Sequence, residues 1–237
     1  EIYPINPKGG KIGDLSIYKS LDDIKGDIEL AVIFVPNKYI PGILEECIEK
    51  GVKAAIIEAA GFSEVGEKGN VLKQKIVEIT DNFNKIRVVG PNCTGLTYLT
   101  GDGVGMYSSF VPMPQIKKGS VVIISQSGFV NGGFLLDNVT RYPNLGLRAI
   151  CAIGNKMDVN ENDLLDYFSK DPEVQIIGMY IESFSNVRAF IDLCNKVQNE
   201  RGKKVVLLRS GMSTRGSQAI SSHTGALAEN SKLIKAA

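Results

Sequence analysis

Short apolar runs rich in valine and isoleucine alternate along the chain with longer segments in which apolar residues recur at the period of a helix. Apolar runs of this kind are typical of parallel strands that are covered by helices. Because strands and helices follow one another in turn, the pattern predicts an α/β fold.

The first part of the chain predicts a small Rossmann-like domain, over residues 1–84. An open nucleotide-binding sheet normally begins with a strand and a Gly-rich turn, and the sequence contains no G-x-G-x-x-G. We therefore expect the first strand and its phosphate-binding turn to be missing. The predicted strands are Glu1–Ile5, Leu30–Val35 and Ala54–Glu58, and the predicted helices are Ile40–Lys50 and Lys68–Phe83.

The remainder, residues 85–237, predicts a flavodoxin-like doubly wound parallel sheet, in which ligands bind beyond the carboxyl ends of the strands. The Gly/Pro-rich stretch Gly101–Gly119 interrupts the alternation and is expected to form an excursion or a hairpin. The predicted strands are Ile86–Val89, Ser120–Ile124, Arg148–Ile153, Ile176–Ile181 and Val205–Arg209, with helices near Val130–Arg141, Glu161–Ser169 and Val187–Glu200.

Charge and cysteine content narrow the classes of partner. The 237 residues include 27 Lys and Arg against 26 Asp and Glu, so no global basic field is available to attract nucleic acid or an anionic membrane. The four cysteines are far apart and the chain has one histidine, so we expect neither a disulfide framework nor a metal site. Together these features favour a cytoplasmic protein.

Two motifs have the composition of anion-binding loops. ISQSGF follows a predicted strand and precedes a helix, where backbone N–H groups and the helix dipole favour phosphate, although Ser125 and Ser127 could simply cap that helix. GPNCTG follows the preceding predicted strand. We expect both to end neighbouring strands of one sheet, so that two helix N-termini address one anion through Asn92, Cys93, Thr94, Gly95, Ser125, Gln126, Ser127 and Gly128.

Glu182 and His223 are candidates for the chemistry itself. Glu182 ends the apolar strand IIGMYIE, and a carboxylate there could accept the N–H of an imidazole and leave its other nitrogen free to attack. His223 lies in a polar loop with Ser/Thr hydroxyls and Arg215, in the stretch SSHTGALA. Surface glutamates and histidines are common, so each assignment depends on the other.

Two other catalytic arrangements could use the same residues. Ser127, a later acid and then His223 follow the chain order of an α/β-hydrolase, but the elbow G-x-S-x-G requires glycine where Ser125 and Phe129 stand. Cys93 could be a nucleophile, but a Cys–His pair would have to use His223, the one histidine of the chain, as its base. Both arrangements are disfavoured.

Taken together, GPNCTG, SQSG, YIE and SSHTGALA resemble the α subunit or α region of NDP-forming acyl-CoA synthetases. The resemblance is greatest to ADP-forming acetyl-CoA synthetases and more distant to the succinyl-CoA synthetase α subunit. It implies that His223 is phosphorylated, that Glu182 hydrogen-bonds its imidazole, and that the two loops hold the phosphoryl group. It also implies coenzyme A contacts by Lys8, Val35, Pro36, Asn37, Tyr39, Ala59, Ala60 and Gly61.

The resemblance further implies a three-step reaction that this chain cannot complete alone. Acyl-CoA and phosphate give an acyl phosphate, the phosphoryl group passes to His223, and His223 passes it to ADP. Mg²⁺ with ADP or ATP would bind an ATP-grasp domain of a β-type partner, in a hetero-oligomer or homodimer. The alternative is a non-catalytic, CoA-binding regulatory or scaffolding module derived from the same family.

Overall fold

The structure is a computed structural model that describes residues 1–101, 103–109, 116–133, 141–142 and 144–210. The predicted strand Glu1–Ile5 is wrong, because only Ile5 forms an isolated bridge, to Tyr18. The chain instead begins with a short antiparallel hairpin of β1 (Gly10–Ile12) and β2 (Leu15–Ile17). Pro4 lacks an amide hydrogen and Pro7 follows closely, so a longer ladder is disfavoured here.

A three-stranded parallel sheet follows, in the order β3 (Leu30–Ile33), β4 (Ala54–Ile57) and β5 (Arg87–Val89). The prediction had placed the last of these strands in the second sheet, and this was wrong. Ala54, Ala55 and Ile56 of β4 pair with β5, and the side chain of Val88 is buried in the first core. The chain therefore leaves the first sheet after Val89 and not before Ile86.

Helices α1 (Ile40–Glu49) and α2 (Glu67–Ile79) cover this sheet. Their inward faces bury Leu44 and Ile76 in the same core, as the apolar period predicted. The second helix ends earlier than the predicted Phe83. Asp81, Asn82 and Phe83 have φ between +51° and +64°, a left-handed conformation that cannot continue an α-helix.

Within the described residues the second sheet has six strands, numbered β6 to β11 along the chain and arranged across the sheet as β11, β10, β8, β9, β6, β7. Four of them run parallel at the predicted positions: β8 (Lys118–Ser125), β9 (Leu147–Ala152), β10 (Ile176–Ile181) and β11 (Lys204–Arg209). The other two, β6 (Leu96–Thr100) and β7 (Gly103–Tyr107), form an antiparallel hairpin on the edge next to β9. The predicted hairpin is thus found, but its first strand begins at Leu96, before the predicted excursion.

Three helices of the second unit lie within the described residues: α3 (Gly128–Gly133), α4 (Glu161–Ser169) and α5 (Val187–Asn199). The last two match their predicted positions. Asn160 forms a capping box with Asp163, and the Asn186 side chain accepts the N–H of Ala189, so local chemistry sets both starts. Residues 134–140 of the predicted helix Val130–Arg141 lie outside the described part.

The two sheets are joined by backbone and side-chain contacts around the crossing from β5 to β6. The N–H groups of Met157 and Val159 donate to the carbonyls of Gly90 and Val88. A small apolar cluster of Ile56, Cys93 and Ala152 fills the space between the sheets. In the ranges covered by the structure, no helix is both long enough and apolar enough to span a membrane.

Candidate active site

The two motifs with anion-binding composition lie against each other. A β-carbon at position 128 would lie 2.7 Å from Cγ2 of Thr94, so the glycine lets the two loops approach closely without displacing the Thr94 side chain. They come together from different sheets, because GPNCTG follows β5 and SQSG follows β8. The expectation of neighbouring strands in one sheet was therefore wrong, although the expected meeting of the loops is found.

The loop Gly90–Gly95 has an unusual backbone and leads into a strand. The Gly90–Pro91 peptide bond is cis, and Asn92 has φ of +57°. The backbone N–H of Asn92 donates to the carbonyl of Ala59 over 2.9 Å, and the side-chain amide of Asn92 donates to Asn155 Oδ1 over 3.3 Å. Since β6 follows directly, the predicted helix N-terminus after GPNC does not exist.

The loop after β8 is held by its own hydroxyl groups. The Ser125 hydroxyl donates to the Ser127 carbonyl over 2.7 Å, and the Ser127 hydroxyl accepts the N–H of Val130 over 3.4 Å. Ser125, Gln126 and Ser127 are all buried. The Ser127 bond caps the start of α3, and the Ser125 bond closes the turn before it. Both bonds are compatible with an anion contact by the loop.

Glu182 lies immediately beyond β10 and next to this loop. The Gln126 side-chain oxygen accepts the N–H groups of Glu182 and Ser183, over 3.0 and 3.2 Å, which ties the two strand ends together. The Glu182 side chain is buried, and its Oε2 atom has no hydrogen-bond partner within the described part of the chain. A buried carboxylate oxygen of this kind needs a donor, such as an imidazole N–H.

A buried ion pair fixes the segment that follows Glu182. Lys156 Nζ lies 2.7 Å from Glu161 Oε2 and also donates to the Ser183 carbonyl. The other Glu161 oxygen accepts the Ser185 N–H. Sequence reasoning missed both residues of this pair, since an ion pair between a loop and a helix start has no periodic signature.

Cys93 is excluded as a nucleophile by its environment. Its thiol is buried and donates to the carbonyl of Ile57 over 3.4 Å. Burial raises the pKa of the Cys93 thiol to about 12, so the reactive thiolate is scarce near neutral pH. The single histidine of the chain disfavours this role on a separate ground.

A groove with a volume of about 320 Å³ lies at the carboxyl ends of β3 and β4. Among the residues expected to contact coenzyme A it brings together Val35, Pro36, Asn37, Ala59 and Ala60, and it adds Phe34. The Phe34 side chain is 66% exposed, and a large exposed aromatic residue at a strand end is the signal that could have identified it.

Three expected coenzyme A residues do not line this groove. Gly61 supports it, because its carbonyl accepts the Asn37 side-chain amide over 2.6 Å. Tyr39 is 55% exposed, with Lys38 Nζ 4.8 Å from its ring centre. Lys8 is exposed in the turn before β1, where its N–H donates to the Asn6 side chain.

A half-buried carboxylate links the groove to the second sheet. The Glu64 carboxylate accepts the N–H groups of Gly61 and Phe62, and its other oxygen accepts the Asn155 side-chain amide over 2.5 Å. Although burial acts to raise the pKa of Glu64, these hydrogen bonds to the charged form lower it overall. Asn155 also contacts Asn92, so groove and anion loop share one polar network.

A second carboxylate missed by sequence reasoning, Glu58, is 7% exposed and immediately follows β4. The sequence did contain a signal for Glu58, because AAIIE ends in an acidic residue after an apolar strand just as MYIE does. His223 and Arg215 lie outside the described residues.

Two family models match the chain in tandem. The model described as "CoA binding domain" matches residues 1–98, and the model described as "Succinyl-CoA ligase like flavodoxin domain" matches residues 118–237.

Two sequence relatives align with the whole of this chain. It is 42% identical over 237 residues to Acetate--CoA ligase [ADP-forming] of Methanocaldococcus jannaschii, covering 100% of this chain and 32% of the relative. Identity is 36% to Acetate--CoA ligase [ADP-forming] I subunit alpha of Pyrococcus furiosus, covering 100% of this chain and 50% of the subunit. The chain thus spans about a third to a half of the length of these relatives.

A solved structure has the same fold. Dinucleotide forming acetyl-coenzyme A synthetase 1 of Ca. Korarchaeum cryptofilum, in complex with phosphate and ADP, superposes with a TM-score of 0.86 at 32% identity, covering 99% of this chain and 48% of that chain. The resemblance drawn from the four motifs is thereby confirmed, as is the α/β fold with a CoA-binding and a flavodoxin-like part.

Proposed function

The chain belongs to the family of the succinyl-CoA ligase like flavodoxin domain, preceded by a CoA-binding domain, and from this premise we propose that it is the α-type part of an ADP-forming acid–CoA ligase. It would interconvert acyl-CoA, ADP and phosphate with the free acid, CoA and ATP, together with an ATP-grasp partner. The two parts would divide the work, with coenzyme A binding in the part built on β3, β4 and β5 and ligase chemistry in the part built on the second sheet.

One observation carries this proposal. Glu182 lies at the strand ends, beside the two loops that meet at Thr94 and Gly128. Its side chain is buried, and one of its carboxylate oxygens has no hydrogen-bond partner in the described residues. A free acceptor next to a potential anion site fits an imidazole that is phosphorylated there. A purely structural sheet edge has no need of such a buried acceptor.

In the first step, the loops Asn92–Gly95 and Ser125–Gly128 hold a phosphate, and one of its oxygens attacks the thioester carbonyl carbon. The carbon–sulfur bond breaks and gives an acyl phosphate and CoA. CoA would bind in the groove lined by Val35, Pro36, Asn37, Ala59 and Ala60. The proposal also assigns it contacts with Lys8, Tyr39 and Gly61 outside the groove. Fixed position and charge stabilisation supply most of the acceleration.

In the second step, an imidazole nitrogen of His223 attacks the phosphorus of the acyl phosphate and the carboxylate leaves. Glu182 accepts the N–H of the other ring nitrogen, which holds the ring and stabilises the cation that develops. His223 would then deliver the phosphoryl group to ADP on the grasp domain, where Mg²⁺, when bound, would neutralise the phosphate charge. A histidine on a loop suits such a transfer between two sites.

The proposal includes the setting. The chain would work with an ATP-grasp subunit or domain, in a hetero-oligomer or homodimer, and its relatives are about two to three times as long as this chain. Its four cysteines are free, three of them buried, which suits a cytoplasmic enzyme. We do not expect nucleic acid or a membrane as partners.

Phosphohistidine formation tests the proposal directly. The chain is incubated with Mg²⁺ and acetyl phosphate, and covalent phosphate is measured by intact mass and acid lability. We expect one acid-labile phosphate, its absence in His223→Asn, and a rate at least tenfold lower in Glu182→Gln, which keeps the shape but weakens the acceptor.

Glu46→Gln, on the exposed face of α1, is the matched control and should behave like the parent. Phosphate retained in His223→Asn would contradict the assignment. If a well-folded parent takes up no phosphate even with a complete grasp-domain partner, the chain is a regulatory CoA-binding module instead.

A further inference from the structure

Glu58 is a buried carboxylate to which the steps above give no role. Its side chain is 7% exposed, and among the residues that the structure describes it forms neither an ion pair nor a side-chain hydrogen bond. Isolated buried carboxylates are costly to a fold and are frequent at functional sites.

The position of Glu58 lies between the two parts of the proposed site. Along the chain it directly precedes Ala59 and Ala60, which line the coenzyme A groove. On its other side, a β-carbon at Gly95 would lie 2.7 Å from Glu58 Oε1, so the carboxylate packs against the backbone of the loop Asn92–Gly95. Glu58 therefore lies between the groove expected to hold CoA and the loop expected to hold the phosphoryl group.

The surroundings of Glu58 favour exchange of a proton. Among the residues that the structure describes, the titratable groups that face it are the Cys93 thiol from the loop and the Tyr107 hydroxyl from β7, and neither carries a positive charge. Burial raises the pKa of Glu58 to about 7. Both the acid and its conjugate base are therefore populated near neutral pH, the condition for an efficient acid–base group.

The proposed reaction needs such a group at the sulfur. When CoA attacks an acyl phosphate, a carbon–sulfur bond forms, the carbon–oxygen bond to phosphate breaks, and the thiol proton must leave. An ordinary thiol, with a pKa of about 8.5, is mostly protonated at neutral pH. The reverse direction requires a proton for the departing thiolate.

We propose that Glu58 exchanges this proton with the CoA thiol, an inference that rests on the proposed function. In the direction of thioester synthesis the Glu58 carboxylate takes the proton as sulfur attacks, and the released phosphate or solvent removes it afterwards. In the other direction the Glu58 carboxylic acid protonates the leaving thiolate. Glu182 and Glu58 would thus serve different steps, phosphoryl transfer and thioester chemistry.

The test measures two half-reactions of the same chain with Glu58→Gln, which keeps the size of the side chain but cannot accept the proton. Thioester formation is followed from acetyl phosphate and CoA between about pH 5.5 and pH 8.5, and phosphohistidine formation is followed from acetyl phosphate alone. General acid–base groups contribute about 10²–10⁴-fold. We expect kcat for thioester formation to fall by at least tenfold more than the rate of phosphohistidine formation.

The pH profile separates chemistry from packing. In the parent, the thioester rate should rise with pH through about 7 as Glu58 loses its proton, and this inflection should be absent in Glu58→Gln. Glu58→Asp should recover part of the rate and the inflection, and the exposed Glu46→Gln should match the parent.

Three outcomes would overturn the assignment. In the first, Glu58→Gln keeps the parent rate and the inflection. In the second, both half-reactions slow by the same factor, which would mean that Glu58 only supports the loop at Gly95. A parent chain that forms neither phosphohistidine nor thioester with a grasp-domain partner overturns the proposed function itself, so the two failures are distinguishable.

Discussion

Two carboxylates, Glu58 and Glu182, each follow an apolar parallel strand and are buried at its carboxyl end. Their surroundings differ. Gln126 holds the backbone beside Glu182 and leaves one carboxylate oxygen open, whereas Glu58 packs on the backbone at Gly95. The same sequence signal can therefore support an acceptor for an imidazole in one place and a proton-exchanging acid in another.

The raised pKa of Glu58 predicts a pH-dependent effect on stability. Its folded-state pKa, about 7, exceeds the ordinary value of 4.5, so the folded state binds the extra proton and stability falls as pH rises between these values. Glu58→Gln should therefore raise the free energy of unfolding by about 1–3 kcal/mol above pH 7.5, and by much less near pH 5. Denaturant unfolding at both pH values measures this difference.

The Glu46→Gln variant serves as its control, because Glu46 is exposed on α1. It should show the same small effect at both pH values. A Glu58→Gln variant that is less stable than the parent at pH 8 would contradict the assignment of an uncompensated buried charge. A gain in stability together with a loss of thioester formation would be the usual exchange between stability and activity at a functional site.

At the scale of elements, the loops between strands and their neighbours determine the geometry of the site. Gly95 has φ of +76° and leaves no room for a side chain between Glu58 and the Ser108 carbonyl. Gly101 lies in the turn between β6 and β7, with no atom within 4 Å of a β-carbon position. The two glycines therefore make a matched pair for testing whether the loop Asn92–Gly95 tolerates a side chain at Gly95.

Gly95→Ala should lower the free energy of unfolding by about 2–4 kcal/mol, because alanine combines a disfavoured backbone conformation with a steric overlap. Gly101→Ala should change it by less than about 1 kcal/mol in either direction. Thermal or denaturant unfolding of the two variants checks the contrast. Equal effects would mean that the loop at Gly95 adapts freely. The close contact with Glu58 would then not constrain the loop.

For the whole molecule, polar contacts connect the first sheet with the second. The Asp158 carboxylate accepts Arg87 Nε over 2.8 Å and the N–H of Val88 in β5 over 2.7 Å. The Asp158 side chain is 10% exposed, whereas Arg87 is 54% exposed. The contact to the backbone of the buried strand should therefore contribute more than the ion pair itself.

Asp158→Ala should lower the free energy of unfolding by about 2–3 kcal/mol, since it leaves the Val88 N–H of β5 without its acceptor. Lys170→Ala, which removes an exposed i,i+4 ion pair on α4, should cost no more than about 0.5 kcal/mol. Urea unfolding compares the two. A cost for Asp158→Ala as small as for Lys170→Ala would show that the contact between the sheets is replaced by water.

The sequence by itself determined the α/β class, the positions of α1, α4 and α5, four strands of the second sheet, and the motifs that indicate the family. These follow from periodicity and caps, which depend on residues close together in the chain. Only the tertiary structure decided that β5 joins β4, that β6 and β7 extend the second sheet, and that the loops at Thr94 and Gly128 meet. It also decided the burial of Glu58. Strand pairing and desolvation depend on residues far apart in the chain, so no local pattern could specify them.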